Sequence, residues 1–174
     1  MKALTGWMAG VALAVSASAA MAQSESTNRV AVETAWSVFV EDEPKECWSV
    51  SSPTNTVNTR DGQVVSVQRG DILLFVTFRP GANVDGEVSF TGGYPFAEGS
   101  TVTLDIGGTS FDLFSEGEWA WPASASDDAQ IVAAMKRGTD ASLTARSSRG
   151  TQTKDTFSLF GFTAAMDEAQ SRCN

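Results

Sequence analysis

A chain of 174 residues with 12 basic and 21 acidic side chains and a formal charge of −9 is poorly suited to neutralising phosphates, which argues against a nucleic-acid partner. The same balance disfavours adsorption to anionic lipid. The absence of histidine removes Ser-His-Asp and Cys-His catalysis and leaves a zinc site only carboxylates.

Residues 1–22 read as a signal peptide: Lys2 supplies the positive start, Leu4 to Ala20 the apolar stretch, and Ala20-Met21-Ala22 the small residues of a cleavage site before Gln23. The mature chain is therefore expected in the periplasm or secreted. No cysteine stands at the cleavage point, so a lipoprotein anchor is not indicated, and no later apolar run approaches the roughly 20 residues of a membrane span. Residues 23–174 have the length of a single domain. Losing Lys2 makes that domain one charge more negative. In an oxidising compartment Cys47 and Cys173 are expected to form a structural disulfide. There is no C-x-x-C spacing and no histidine to activate a thiol. Closing so long a loop is worth roughly 4 to 5 kcal/mol in the chain-entropy model.

In chain order, Gln23 to Arg29 form a polar leader. Trp36, Val38 and Val40 alternate with Ser37 and Phe39, the pattern of a strand with one face inward. Glu41-Asp42-Glu43-Pro44 makes a turn, Cys47 to Val50 resumes an extended segment, and residues 51–62 read as a loop ending in Asp61-Gly62. Val64, Val65 and Val67 form a strand. After the Arg69-Gly70-Asp71 turn, the apolar run Ile72 to Phe78 suits a central strand covered on both faces, ended by Pro80-Gly81. Val88 and Phe90 alternate with polar neighbours, as do Val102, Leu104 and Ile106, then Phe111 and Leu113. The last two runs are joined by Gly107-Gly108, a hairpin signal. A helix is predicted from Asp127 to Arg137, capped by Ser126 and closed by Gly138, with acids at its start, bases at its end, and Ile131, Val132 and Met135 on one face. Strands through Leu143 and Ala145, and through Phe157 and Leu159, flank a turn at Arg149-Gly150. A short helix from Thr163 finishes the chain, with Glu168 and Arg172 paired and Cys173 clamping an element too short to stand alone. Together these elements predict a mainly β protein, an antiparallel β-sandwich with one or two short helices; a closed barrel is the alternative.

No glycine-rich phosphate loop is present. Asn83-Val84-Asp85-Gly86 has part of a calcium loop but lacks its acidic first position and closing glutamate, so no metal and no cofactor are expected. Glu116 and Glu118 flank Gly117 just before Trp119 and Trp121, an arrangement a sugar-cleaving site would use. An exposed acidic turn is the preferred reading, no catalytic residue is assigned, and the chain is read as a non-enzyme. Tyr94, in Gly93-Tyr94-Pro95-Phe96, and Trp119 and Trp121, in Trp119-Ala120-Trp121-Pro122, are the candidate ligand-binding residues, a stacking platform for a sugar or peptide. Against this, two tryptophans two apart share a strand face, and packing into one end of the core is preferred for them. Arg137, Arg146, Arg149 and Lys154 read as a solvated strand face.

The run Arg149-Gly150-Thr151, Asp155, Phe157-Ser158-Leu159, Gly161-Phe162, Ala164-Ala165 resembles the closing signature of the invasion-associated locus B family. Trp36, Cys47, Gly93-Tyr94-Pro95, Phe111-Asp112-Leu113, Trp119 and the Ile131 to Gly138 helix follow the family's order. The resemblance implies an exported bacterial protein of the periplasm or envelope, and brings no catalytic set. The family is named for a member linked to invasion of host red cells. The acidic balance departs from a cationic adhesin. Three roles follow: a non-enzymatic binder of an envelope component or protein partner, which leads; a carbohydrate or small-ligand module; and a host-surface virulence factor.

Overall fold

A computed structural model describes residues 28–174; the signal peptide read over 1–22 lies outside them. Among the described residues there are twelve strands, most of them built on alternating apolar and polar side chains: β1 (Arg29–Glu33), β2 (Trp36–Asp42), β3 (Lys45–Ser51), β4 (Asn55–Arg60), β5 (Gln63–Val64), β6 (Leu73–Arg79), β7 (Val84–Thr91), β8 (Thr101–Ile106), β9 (Thr109–Glu116), β10 (Trp119–Trp121), β11 (Asp140–Arg146) and β12 (Gln152–Ser158). Two helices accompany them, α1 (Ala125–Met135) and α2 (Phe162–Cys173).

The strands form one antiparallel sheet in the order β1-β2-β3-β6-β7-β10-β9-β8-β11-β12-β4-β5. Its edges are β1 and β5, so the sheet is open and the closed-barrel alternative is not formed. Distant strands nevertheless meet across the core: Phe90 of β7 packs edge-on against Phe157 of β12, centroids 6.2 Å apart. Around them Val38, Leu74, Val76, Val88, Leu104, Leu113 and Leu143 are fully buried.

Helix α2 lies against β1, β2, β3 and β6. Its first residue, Phe162, meets Trp36 edge-on at 4.9 Å, and its last is bridged to β3 through Cys47–Cys173, with a Cα–Cα separation of 5.9 Å. The bridge is the pairing expected, and it matches an oxidising, extracytoplasmic setting. Gly161 has φ +87°, and a side chain there would collide with the carbonyl of Glu33. The close approach of β1 therefore requires glycine just before the helix.

Several local expectations are corrected. Helix α1 is capped by Ser124, whose backbone is extended and whose hydroxyl accepts from the Asp127 amide at 3.2 Å; Ser126 is already helical. The Ser124 hydroxyl also donates to the Asp127 carboxylate at 2.7 Å, so this reciprocal pairing begins the helix two residues early. Residues 51–62, read as loop, contain β4, which pairs with β12. Strand β6 is not covered on both faces: Leu74, Val76 and Phe78 enter the core, whereas Leu73 and Phe75 are half-buried on the opposite side. Between Thr77 and Phe78 the register with β7 slips by one residue, and the extra residue is Gly86, at φ +88°. That bulge re-aims the strand. Just beyond it, the Val88 amide donates to the Asp128 carboxylate of α1 at 2.8 Å.

Candidate functional site

The outer side of β3, β6, β7 and β10 carries an open groove of about 350 Å³. Strand alternation builds it. In β10 the small Ala120 points inward and is fully buried, so Trp119 and Trp121 both point out. Their rings stack with centroids 6.4 Å apart and planes within 20°. Phe75 of β6 tilts against Trp119 at 5.7 Å, and Phe114 of β9 against Trp121 at 5.6 Å. Trp48 of β3 lines the far wall and stacks on Phe39.

This corrects the expectation that Trp119 and Trp121 fill the core. They do share one strand face, but it is the outer one, and Trp119 is 40% exposed. Among the described residues, the indole N–H groups of Trp48, Trp119 and Trp121 have no hydrogen-bond partner, whereas that of buried Trp36 donates to the Ser158 carbonyl at 3.0 Å.

At the polar end of the groove Arg79 donates to Glu46 and to Glu87, each at 2.8 Å. The Arg79 guanidinium is held charged, raised above its ordinary value by the hydrogen bond to Glu46, with Glu87 adding to it and partial burial opposing it. The triad sets charged donors and acceptors beside an aromatic floor.

Tyr94 is elsewhere. It lines a separate cleft of about 530 Å³ with Arg60, Arg69, Glu118, Ser148 and Arg149. Behind this cleft Arg69 makes a bidentate ion pair with Asp155, at 2.7 and 2.6 Å, the two side chains being 6% and 0% exposed. Arg69 also donates to the Gly92 carbonyl at 2.8 Å and to Asn58 at 3.2 Å. Its guanidinium lies 4.9 Å from the centre of the Tyr94 ring. The Tyr94 hydroxyl pairs with Thr153. Its phenol is raised above the ordinary value by burial, with the Thr153 contact and the Arg69 charge opposing and Asp155 reinforcing. The wall is thus a buried charge pair with its hydrogen bonds satisfied.

Two backbone constraints shape this cleft. The Gly70 amide donates to the Gly93 carbonyl at 2.9 Å, Gly93 has φ +71°, and a side chain at Gly93 would overlap the Gly70 backbone. The Ser147–Thr151 turn is tied by Gly150 N–H to the Ser147 carbonyl at 2.9 Å and by the Thr151 amide to the Ser147 hydroxyl at 3.1 Å. Residues far apart in the chain, Gly93-Tyr94-Pro95 and Arg149-Gly150-Thr151 with Asp155, therefore converge on one place.

Of the three candidate ligand-binding residues, then, Trp119 and Trp121 come together and Tyr94 does not join them. Glu116 and Glu118 also face different cavities: Glu118 rims the arginine cleft, and Glu116 lines a third cavity with Trp121 and Asp128. Cys47 and Cys173 are joined, as described. Sequence reasoning missed Trp48, Phe75, Arg79 and Arg69. The signal for Arg69 was its place beside Gly70, read only as a turn.

A disulfide-closed, antiparallel β-domain with open clefts along its sheet is the class these features define. Residues 36–170 match the family model described as Invasion associated locus B (IalB) protein, and the chain belongs to that family. Neither curated proteins nor solved structures give a significant match.

Proposed function

We propose that this protein is exported to the bacterial envelope and acts there as a non-enzymatic binding module, holding a glycan component of the envelope in the aromatic groove. The observation that carries this reading is the Trp119–Trp121 stack, exposed beside the Glu46–Arg79–Glu87 array. A sugar ring presents apolar C–H faces to such a stack and hydroxyls to the fixed charges, the combination of aromatic floor and few oriented polar groups typical of ligand sites. The Cys47–Cys173 bridge supports the extracytoplasmic placement. The Phe90–Phe157 contact supports a sheet folded over itself as a sandwich, which would leave the groove on an outer surface.

Tryptophan fluorescence titrated with peptidoglycan fragments and neutral oligosaccharides tests this. Saturable quenching, lost in Trp119→Ala and Trp121→Ala, is the expected result. Saturable binding that ignores both substitutions would remove the groove from the function.

A protein partner is the second reading, favoured by tryptophan and arginine sharing one surface, the residue types that dominate protein interfaces. Crosslinking in intact cells, followed by mass spectrometry, separates the two: one captured protein, crosslinked at Trp48 or Trp119, would replace the glycan. Nothing in the groove favours attachment to a host surface.

A further inference from the structure

We infer that the second cleft is an oxyanion site, in which Arg60 and Arg149 hold a carboxylate or phosphate group borne by a small ligand. This goes beyond the groove reading and does not depend on it.

The charge distribution comes first. Acidic side chains outnumber basic ones 21 to 12, yet three arginines line this one cleft against a single acid, Glu118. The charge of Arg69 is already committed to Asp155. That of Arg60 and Arg149 is not: among the described residues neither makes an ion pair, whereas Arg69, Arg79 and Arg172 all do.

Both free cations are presented by fixed supports. One terminal nitrogen of Arg60 donates to the Thr151 hydroxyl at 2.7 Å, and Thr151 is itself buried and anchored to Ser147. One donor of the planar fork is thus pinned while others remain available, and that fork matches the two oxygens of a carboxylate or phosphate. Arg149 stands on the Ser147–Thr151 turn, which is closed by the Ser147 amide to the Thr151 carbonyl at 2.8 Å and docked by the Ser148 amide to the Pro95 carbonyl at 2.9 Å. A support of this kind lowers the ordering cost of binding. The Tyr94 ring, itself anchored at both Arg69 and Thr153, supplies an apolar wall. The volume of about 530 Å³ falls within the range of roughly 300–1,000 Å³ usual for small-ligand sites.

Isothermal titration of the mature protein at fixed ionic strength, with glucuronate, inorganic phosphate and glucose as probes, tests the site. Saturable binding of glucuronate, phosphate or both is expected to survive Trp119→Ala, whereas any glucose binding, which the groove alone would supply, should be lost in that variant. Glucuronate alone identifies a carboxylate ligand, phosphate alone a phosphorylated one. Arg60→Gln and Arg149→Gln should each weaken the affinity at least tenfold, and Trp119→Ala should leave it unchanged. Both arginine variants alter exposed side chains, so an unshifted thermal midpoint verifies their fold. No saturable binding of either oxyanion, glucose binding that survives Trp119→Ala but is lost with the arginine variants, or affinity untouched by both arginine variants would overturn the proposal. A Trp119-dependent oxyanion signal would overturn it too, by assigning the ligand to the groove.

Discussion

Tryptophan is used in opposite ways on the two faces of this sheet. Trp36, on the inner face, is 0% exposed, packs edge-on against Phe162, and has its indole N–H satisfied by the Ser158 carbonyl. Trp119 and Trp121, on the outer face, stack on each other, and among the described residues their N–H groups have no hydrogen-bond partner. Between these two stands Ala120, buried. Folding alone would favour the reverse, because a large ring gains more from burial than a methyl group. The inner aromatics are therefore explained by stability, while the outer ones hold surface that the fold does not use, and it is on that surface that the proposed binding role rests.

The largest test of that division is the bridge. Cys47 and Cys173 lie 126 residues apart, and replacing both with serine should lower the unfolding free energy by about 4 to 5 kcal/mol in the chain-entropy model, read from denaturant midpoints. The inner face should lose α2 first, since that helix packs on β1, β2, β3 and β6. A loss below about 1 kcal/mol would mean that the packing of Phe162, Ala165 and Ala169 holds the helix unaided.

Next comes the tryptophan pair itself. Trp36→Ala should cost about 3 to 5 kcal/mol, a large-to-small change in a close-packed core. Trp119→Ala should cost no more than about 1 kcal/mol, since its ring contacts are partial and solvent already reaches it. Equilibrium denaturation of both variants checks the contrast. Equal losses would make Trp119 structural and break the comparison. Of similar size to the Trp36 effect is Asp155→Ala, which strands the buried Arg69 and should cost about 3 to 5 kcal/mol. A double variant, Arg69→Met with Asp155→Leu, should recover a large part of that loss, because the isolated charge, rather than the absent pair, is what destabilises.

Local pattern explains how much of this could be read from the chain. The alternation at Trp36, Val38 and Val40 is visible because the period of two reports one buried face. The same period at Trp119 and Trp121 shows only that the two share a face, and nothing local says which; that depends on β10 pairing with β7 and β9. Strand β4 was hidden because its Ser-, Thr- and Asn-rich stretch has turn-like composition and joins the sheet through β12, about a hundred residues away. Ser124 and Ser126 are equally good caps by type, and only the extended backbone of Ser124 chooses between them. The Cys47–Cys173 pairing was legible because two cysteines allow one bridge. The arginine cleft was not, because Arg60, Arg69, Tyr94 and Arg149 meet only once β4, β12 and two loops are assembled.

The smallest expected effect lies at Asp128, where α1 meets the bulge that separates the two uses of β7. Val88 faces the core and its neighbour Glu87 reaches the groove; the Asp128 carboxylate holds the Val88 amide between them. Burial raises the Asp128 carboxyl above its ordinary value, the Val88 amide opposes that shift, and Glu87 and Asp127 reinforce it. The folded protein therefore binds this proton more tightly than the unfolded chain does. The stability that Asp128 contributes is complete below its unfolded value and is lost as pH rises through its raised folded value. Asparagine keeps an oxygen to accept from Val88 and carries no charge near Glu87. Asp128→Asn should thus be at least as stable as the parent at neutral pH, with its advantage shrinking as pH falls through the carboxylate range. Denaturation midpoints across that range check the sign. A variant weaker than the parent at neutral pH would show instead that the carboxylate charge, favoured at the N-terminal end of α1, is itself what fastens the helix to the sheet.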